Sequence, residues 1–367
     1  MRVLIAGGGT GGHLFPAFAV ARSVRQLHTD AEISWLGGAR GVESRLVPEA
    51  GYPLTLLAAP SLRPSGAGLV ATVRDAAKLL WSIPQAIRVI RRVRPDVIFS
   101  TGGYIAIPTL IAAWLTRTPS LLWEGNVQAG RSNTLVAPLA SHRAVAWRQT
   151  AERAPWSGTK TTVTGTPVRE LTVDRTTART ARGLTANDQL LLVFGGSQRV
   201  RRFETALDGA LATLLTEWRV LHVVMDGLPE AERRRASLPA ELRDHYEPVA
   251  FLGGGAMEAA LVSADLMLGR AGASTIAEAA AAGLPAIIVP YPFAGGHQRA
   301  NAEAAAAAGA ATLINDEDLT PERLLAAVAT YATPAQRATA ARAATTLAHP
   351  DAAAVIAEKL LQLGGRG

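Results

Sequence analysis

Twice in this chain a short apolar run stops at glycines and gives way to a helical pattern, and few folds accept that arrangement. The first instance is Arg2-Val3-Leu4-Ile5-Ala6, then Gly7-Gly8-Gly9-Thr10-Gly11-Gly12-His13, then Pro16 and a helix-like stretch at 17–26. The second is Leu190-Leu191-Leu192-Val193-Phe194, which runs into Gly195-Gly196-Ser197-Gln198. A strand apolar at every position is buried on both faces, the habit of parallel sheets covered by helices. Glycines at its end let the backbone take positive φ and let a ligand approach closely. The helix behind them turns N–H groups and a positive dipole end toward that ligand, so a phosphate is the natural guest.

The stretch between the two openings continues the alternation. Strand candidates lie at 33–36, 54–57, 97–100, 120–123 and 143–146, with helical stretches at 18–26 and 106–114. Residues 154–166, rich in Pro, Gly, Ser and Thr, break the pattern. It restarts with strands at 190–194, 220–225, 249–251, 264–269, 285–290 and 311–314. Repeated strand–helix alternation predicts an α/β protein of two Rossmann-like domains facing each other across a cleft. The expected boundaries are 1–163 and 164–345, with a final helical segment, 346–367, that could belong to either domain and pack back on the first. A chain of 367 residues is long for one core, which agrees with two.

Composition narrows the chemistry. The absence of cysteine excludes disulfides, thiolate metal ligands and a cysteine nucleophile. A formal net charge of +7, mostly dispersed arginine, points to an anionic partner. No zinc-finger spacing, RNA-binding aromatic signature or long basic run supports nucleic acid. The longest apolar stretch, 105–115, is half the ~20 residues of a spanning helix and contains Pro108. The expectation is a soluble protein, or one lying on a membrane surface.

Gly7, Gly9 and Gly12 satisfy the dinucleotide fingerprint G-x-G-x-x-G in the right setting, after a strand and before a helix. That fold usually ends its second strand on an acid for the ribose. Here the second strand ends Trp35-Leu36-Gly37-Gly38-Ala39-Arg40, without one, although Arg40 could serve NADP. In the second half, Arg270-Ala271-Gly272-Ala273-Ser274-Thr275-Ile276-Ala277-Glu278 follows a strand. Gly272 reads as the turn and Ser274 or Thr275 as the cap of a helix that forms a second phosphate cradle. Glu278, on the first turn, is placed to accept both hydroxyls of a ribose. Thr275 to Glu278 is equally a capping box, which is a structural motif only.

These motifs occur in order with Gly102-Gly103-Tyr104 and with His297-Gln298-Arg299-Ala300-Asn301. Together they resemble the MurG family, transferases that add N-acetylglucosamine to lipid I in peptidoglycan synthesis. The resemblance runs nearly the full length and is most specific from Arg270 to Asn301. It implies a GT-B fold, with UDP-N-acetylglucosamine as donor held mainly by the C-terminal domain, and a polyprenyl-diphosphate-linked acceptor. It further implies that Thr10, Gly11 and Gly12 lie near the donor phosphates and acceptor, and that Asn126 contacts the donor sugar. Arg169 and Ser197, with Gln198 beside it, would help hold the nucleotide. Leu252 would sit against the uracil, Ala273, Ser274, Thr275, Ile276, Ala277 and Glu278 would bind diphosphate and ribose, and Gln298 the sugar hydroxyls. Tyr104 is carried over as a further substrate contact. The chain departs from the family pattern at Trp123-Glu124-Gly125-Asn126, where His-Glu-Gln-Asn is usual, and at Arg199 and Thr166.

An inverting transfer needs a base for the acceptor hydroxyl and stabilisation of the leaving diphosphate. His13 and Glu124 are the base candidates, and the helix starts behind Gly12 and Ser274 can stabilise the diphosphate without a metal or other cofactor. The single Asp-x-Asp, Asp316-Glu317-Asp318, reads as a loop leading to a helix cap. Leu69, Val73, Ala76, Ala77 and Leu80 form one helical stripe that reads as core, while Leu79 falls off it and Trp81 lies at its edge. With Arg88, Arg91 and Arg92 nearby, and Trp114 in addition, Leu79 and Trp81 form a candidate patch for an anionic membrane surface. Three readings therefore stand: a lipid I transferase, a related UDP-sugar enzyme such as a glycolipid synthase or epimerase, and a NADP-dependent oxidoreductase or non-catalytic nucleotide binder.

Overall fold

The computed structural model describes residues 1–38, 41–58, 69–196, 199–292 and 296–365, with side chains left aside at 69–76 and 254. Contacts divide the chain into two compact units, Met1–Arg169 together with His349–Gly367, and Glu170–Ala348. The first unit therefore ends six residues beyond the expected 163, and the second runs to 348 where 345 was expected.

Among the described residues the first unit carries seven parallel strands. They are β1 (Arg2–Ala6), β2 (Glu32–Gly38), β3 (Leu54–Leu57), β4 (Val97–Ser100), β5 (Ser120–Glu124), β6 (His142–Val145) and β7 (Thr161–Val163), in the order β3-β2-β1-β4-β5-β6-β7. The period of two is visible in the packing. Val3, Ile5, Val97, Phe99, Leu121 and Trp123 face the helices Gly11–Leu27 and Ala352–Leu363 through Leu14, Val20, Ile356 and Leu360. Leu4, Ala6 and Ile98 face the other way, onto Ala86 and Ile90 of the helix Leu69–Val93 and Ala112 and Ala113 of Ala106–Leu115. Both faces are covered, which is why the strands read as unbroken apolar runs. The final helix packs on Gly11–Leu27 and belongs to the first unit.

The second unit has six parallel strands among the described residues: β8 (Gln189–Phe194), β9 (Trp218–Val223), β10 (Tyr246–Val249), β11 (Leu266–Gly269), β12 (Ala286–Ile288) and β13 (Ala311–Leu313), in the order β10-β9-β8-β11-β12-β13. Leu191, Val193, Leu266, Leu268 and Ile287 pack on Phe203, Leu207 and Leu324.

Two elements differ from the sequence reading, and both are edge strands. β7 lies inside the segment expected to be a linker, because Thr161-Thr162-Val163 is partly exposed and shows no apolar run. β10 is Tyr246–Val249 rather than 249–251; Glu247 and Pro248 disguise it, and proline is tolerated at a sheet edge.

In each sheet the strand order reverses beside the strand that feeds the glycines, between β1 and β4 and between β8 and β11. Ligands of open α/β sheets bind beyond the strand ends at this switch point. The described loop residues there are 7–10 and 101–104 in the first unit, and 195–196, 199–200 and 270–272 in the second.

Candidate active site

In the first unit Thr10 takes the cap position of the helix Gly11–Leu27 in extended backbone, without a side-chain cap bond. His13 follows in the first turn, half-buried, with Nδ1 2.8 Å from the carbonyl oxygen of Thr101 at the end of β4. A carbonyl only accepts, so Nδ1 carries the proton and donates it, and Nε2 is left with its lone pair. The tautomer suits a proton acceptor at Nε2. Nε2 lies near Gly103, where an added Cβ would come within 3.5 Å of it.

Glu124 ends β5 and is 1% exposed. Its Oε1 accepts from the backbone N–H of Asn126 (2.9 Å) and from Asn126 Nδ2 (2.8 Å). Its Oε2 accepts from the N–H of Gly130 (2.9 Å) and from Asn133 Nδ2 (2.8 Å). Four donors occupy the lone pairs of a buried carboxylate, a poor arrangement for taking a proton from a substrate. Asn133, buried in the short helix Arg131–Val136, also accepts the Gly103 N–H through Oδ1 (3.1 Å). Gly102 and Gly103 have φ of +93° and +77°, and a Cβ on Gly102 would lie 2.2 Å from Asn133 Nδ2. The glycine turn beside His13 and the Glu124–Asn126 loop are thus one hydrogen-bonded unit.

The glycine loop itself rests on Glu43. This fully buried carboxylate accepts the Gly9 N–H (2.8 Å) at Oε2 and the Gly38 N–H (3.0 Å) at Oε1. Trp35 Nε1 donates to the Gly7 carbonyl (2.9 Å) from below. Tyr104 does not present its hydroxyl outward: the atom is buried, and a Cβ on Gly38 would lie 1.9 Å from it. Burial, and then the negative charge of Glu43, push this phenol up to about 12. Tyr104 thus packs its ring and hydroxyl against the loop and Gly38. The guanidinium of Arg169 lies 5.2 Å from the ring centre of Phe15, on the helix that begins at the loop.

In the second unit the helix is Ala273–Ala281 and its cap is Gly272, in extended backbone with no side-chain cap bond. This corrects the sequence reading. Ala273, Ser274 and Thr275 are the first helical residues, neither hydroxyl is the cap, and the Thr275–Glu278 capping box does not form. Ile276 and Ala277 complete the first turn and begin the next, and Glu278 is buried in the second turn, not the first. Gln298 Oε1 accepts the N–H groups of Ala271 (3.2 Å) and Tyr291 (2.9 Å), and Asn301 Nδ2 donates to the Ala271 carbonyl (3.1 Å). The first two turns of the helix His297–Ala307 therefore hold the Arg270–Gly272 turn in place. Leu252 is half-buried in the loop between β10 and the helix Gly254–Ser263. Ser197 and Gln198 lie outside the described residues, as does Arg40.

With this geometry in place, likeness to known proteins decides the family. Residues 3–145 match the N-terminal domain, and residues 190–356 the C-terminal domain, of glycosyltransferase family 28. A protein of Nitrosococcus oceani named UDP-N-acetylglucosamine–N-acetylmuramyl-(pentapeptide) pyrophosphoryl-undecaprenol N-acetylglucosamine transferase is 39% identical over 99% of this chain and 99% of its own. The protein of that name from Desulforudis audaxviator is 36% identical over 100% of each chain. The chain belongs to glycosyltransferase family 28. The crystal structure of Acinetobacter baumannii MurG matches with a TM-score of 0.77 at 28% identity, covering 98% of this chain and 99% of that one. The fold is GT-B, with two Rossmann-like domains, and the dinucleotide reading of the first loop falls.

Where this family 28 transferase departs from the usual pattern, Trp123, Gly125 and Arg199 are engaged in hydrogen bonds. Trp123, where histidine is usual, turns into the core, and its Nε1 donates to the Gly165 carbonyl (3.2 Å). The Gly125 carbonyl accepts from Trp147 Nε1 (3.1 Å). Arg199 is bound in a fork by Glu204, at 2.7 and 2.8 Å. Asp316 of the Asp-x-Asp pairs with Arg270 (2.6 Å), which also donates to the Val289 carbonyl (3.1 Å), and Thr320 caps the helix Pro321–Ala329. Sequence reasoning missed Glu43, Thr101 and Asn133. Their roles come from contacts across 34, 88 and 30 residues of chain, respectively. The one local signal for Glu43 was the run of glycines at 37, 38 and 41 just before it.

Proposed function

We propose that this chain transfers N-acetylglucosamine, with inversion, from UDP-N-acetylglucosamine to the muramyl C4 hydroxyl of undecaprenyl-diphosphate-linked N-acetylmuramyl-pentapeptide (lipid I), giving lipid II. The observation that carries the reading is the full-length likeness to transferases whose names state that donor and acceptor. In this reading the first unit takes the acceptor at Thr10, Gly11 and Gly12, and His13 Nε2 removes the hydroxyl proton. The His13–Thr101 hydrogen bond supports that role by fixing the tautomer. Glu124 then positions Asn126 toward the sugar and is not itself the base. The second unit takes the nucleotide: diphosphate at the start of Ala273–Ala281, ribose at Glu278, uracil beside Leu252, with Ser197 and Arg169 assisting and Gln298 near the sugar. No metal or other cofactor is assigned a role, since Asp316 already serves Arg270.

The acceptor is a lipid, and we assign the enzyme to the cytoplasmic face of the membrane as a peripheral protein. Among the described residues no helix is long and apolar enough to cross a membrane. The docking face we propose is built on three helices packed side by side, Leu69–Val93, Ala106–Leu115 and Arg131–Val136. They expose Leu80 (67%), Trp81 (64%), Trp114 (60%), Leu115 and Leu135, and Arg88, Arg91 and Arg92 are exposed on the first of them. Leu79 is removed from this face: it packs against the core cluster around Ile107 and Leu110, while Leu80, read from sequence as core, is exposed. An apolar face with arginines on the same helix suits an anionic surface.

The test is UDP release from UDP-N-acetylglucosamine with and without a polyprenyl-diphosphate muramyl acceptor. Release only with acceptor is expected. Release without it, or an epimerised sugar nucleotide as product, would favour the related UDP-sugar enzymes.

A further inference from the structure

We propose that Glu43 is a positioning residue for the acceptor loop, its carboxylate standing inside the first unit where a nucleotide-binding loop of this shape takes a phosphate. This deepens the transferase reading and rests on it. Glycine loops after the first strand of a Rossmann unit keep their backbone N–H groups for a pyrophosphate. Here the N–H of Gly9, the middle glycine of the fingerprint, is taken by Glu43 Oε2 at 2.8 Å. The other oxygen takes the Gly38 N–H at 3.0 Å, so one side chain ties the end of β2 to the loop after β1.

The glycines tell the same story through space. An added Cβ would come within 2.4 Å of the Glu43 side chain at Gly8, 2.8 Å at Gly37 and 2.0 Å at Gly41. At Gly38 it would meet the Tyr104 hydroxyl at 1.9 Å. Gly8 in the first loop, and Gly37, Gly38 and Gly41 at and after the end of β2, therefore make room for Glu43 and Tyr104. The consequence is selective. With Glu43 bonded to it, the Gly9 N–H is not offered to a dinucleotide pyrophosphate. Glu43 also holds the backbone in the shape that presents Thr10, Gly11 and Gly12 beside His13.

Glu43→Gln tests this. The two N–H donors sit on different oxygens, so whichever way the amide turns, one buried N–H faces an NH₂ group. Leaving one buried donor unmatched corresponds to a loss of about tenfold to a hundredfold. The expected result is that loss in kcat/KM for the acceptor, with the donor KM within about twofold of wild type. Glu43→Asp, which keeps both acceptor oxygens, should recover part of the loss. Hydrogen exchange gives a readout independent of turnover: amides in 7–13 and 37–38 should exchange at least about tenfold faster in Glu43→Gln, with Ala273–Ala281 unchanged. Wild-type acceptor kinetics in Glu43→Gln overturn the proposal. So does an equal rise in both KM values with a lowered melting temperature, which would mark general destabilisation. If the wild-type chain transfers no sugar, the functional reading fails, while the exchange arm still judges whether Glu43 holds the loop.

Discussion

The division of labour between His13 and Glu124 can be tested through Glu124→Gln. Glu124 accepts four hydrogen bonds, two on each oxygen, at 2.8–2.9 Å. Glutamine keeps one acceptor oxygen and puts an NH₂ where the other stood. In one orientation it opposes both Asn126 donors, and in the other it opposes the Gly130 N–H and Asn133 Nδ2. Two donors are left unmatched either way, at up to about 1–3 kcal/mol each where they are buried, so at most roughly 2–6 kcal/mol is divided between folding stability and transition-state binding. Asn133→Ala breaks the same network from the other end, deleting one donor to Glu124 and the acceptor of the Gly103 N–H. If Glu124 acts as a scaffold, both single variants lower kcat/KM. The double variant then costs less than their sum, by roughly 1.5–3 kcal/mol for the shared charge-assisted bond. Steady-state kinetics at saturating donor, beside urea unfolding of all four proteins, measure the cycle. An Asn133→Ala enzyme with wild-type turnover beside an inactive Glu124→Gln enzyme would refute the scaffold and return Glu124 to the role of base.

Further expectations follow from the same geometry. His13→Ala should lower kcat by about 10²–10⁴-fold with donor binding retained, and near-full turnover would remove His13 as the base. His222, buried against the Tyr246 hydroxyl (Nδ1 to Oη, 3.0 Å), is pulled down to about 3 by burial and then by Arg234 and Arg199. Between that value and the unfolded one near 6.5 the unfolded chain binds more protons, so stability rises with pH and falls on acidification. The loss attributable to His222 is about 2 kcal/mol between pH 7 and pH 5, and urea midpoints of His222→Phe should show a flatter slope over that range. Equal slopes would remove His222 as the cause. Leu80→Glu with Trp81→Glu removes two side chains about two-thirds exposed, together roughly 2–4 kcal/mol of membrane contact. Binding to anionic vesicles should fall by about 30-fold or more while soluble donor binding is kept. Unchanged sedimentation with vesicles would sink the docking face.

The sequence made the fold legible where burial is two-sided. Continuous runs such as 3–6 and 190–194 are central parallel strands, and nothing but a covered sheet accepts them. Edge strands β7 and β10 escaped because one side meets solvent, so Thr161-Thr162 and Glu247-Pro248 look like loop. The site was legible in its backbone parts, since glycine and helix starts are local features. Its supporting side chains were not, because Glu43, Thr101 and Asn133 act on residues far along the chain. The Leu79 reading failed on a single residue of helical phase. A stripe drawn from 69 to 80 put Leu80 inside, whereas Leu79 packs and Leu80 and Trp81 point outward.

The glycine loop after β1 and the glycine turn after β11 differ in one physical respect. Beyond β11 the helix Ala273–Ala281, where the proposed reading seats the diphosphate, starts at Gly272 in extended backbone. Beyond β1 the Gly9 N–H is held by a carboxylate from within, and the histidine that follows has its tautomer set by a backbone carbonyl. A loop whose Gly9 N–H is already engaged does not offer that donor to a second nucleotide. It is suited to hold a hydroxyl-bearing substrate beside a proton acceptor. What distinguishes the first loop is one buried glutamate, whose removal should loosen that loop and leave the start of Ala273–Ala281 untouched.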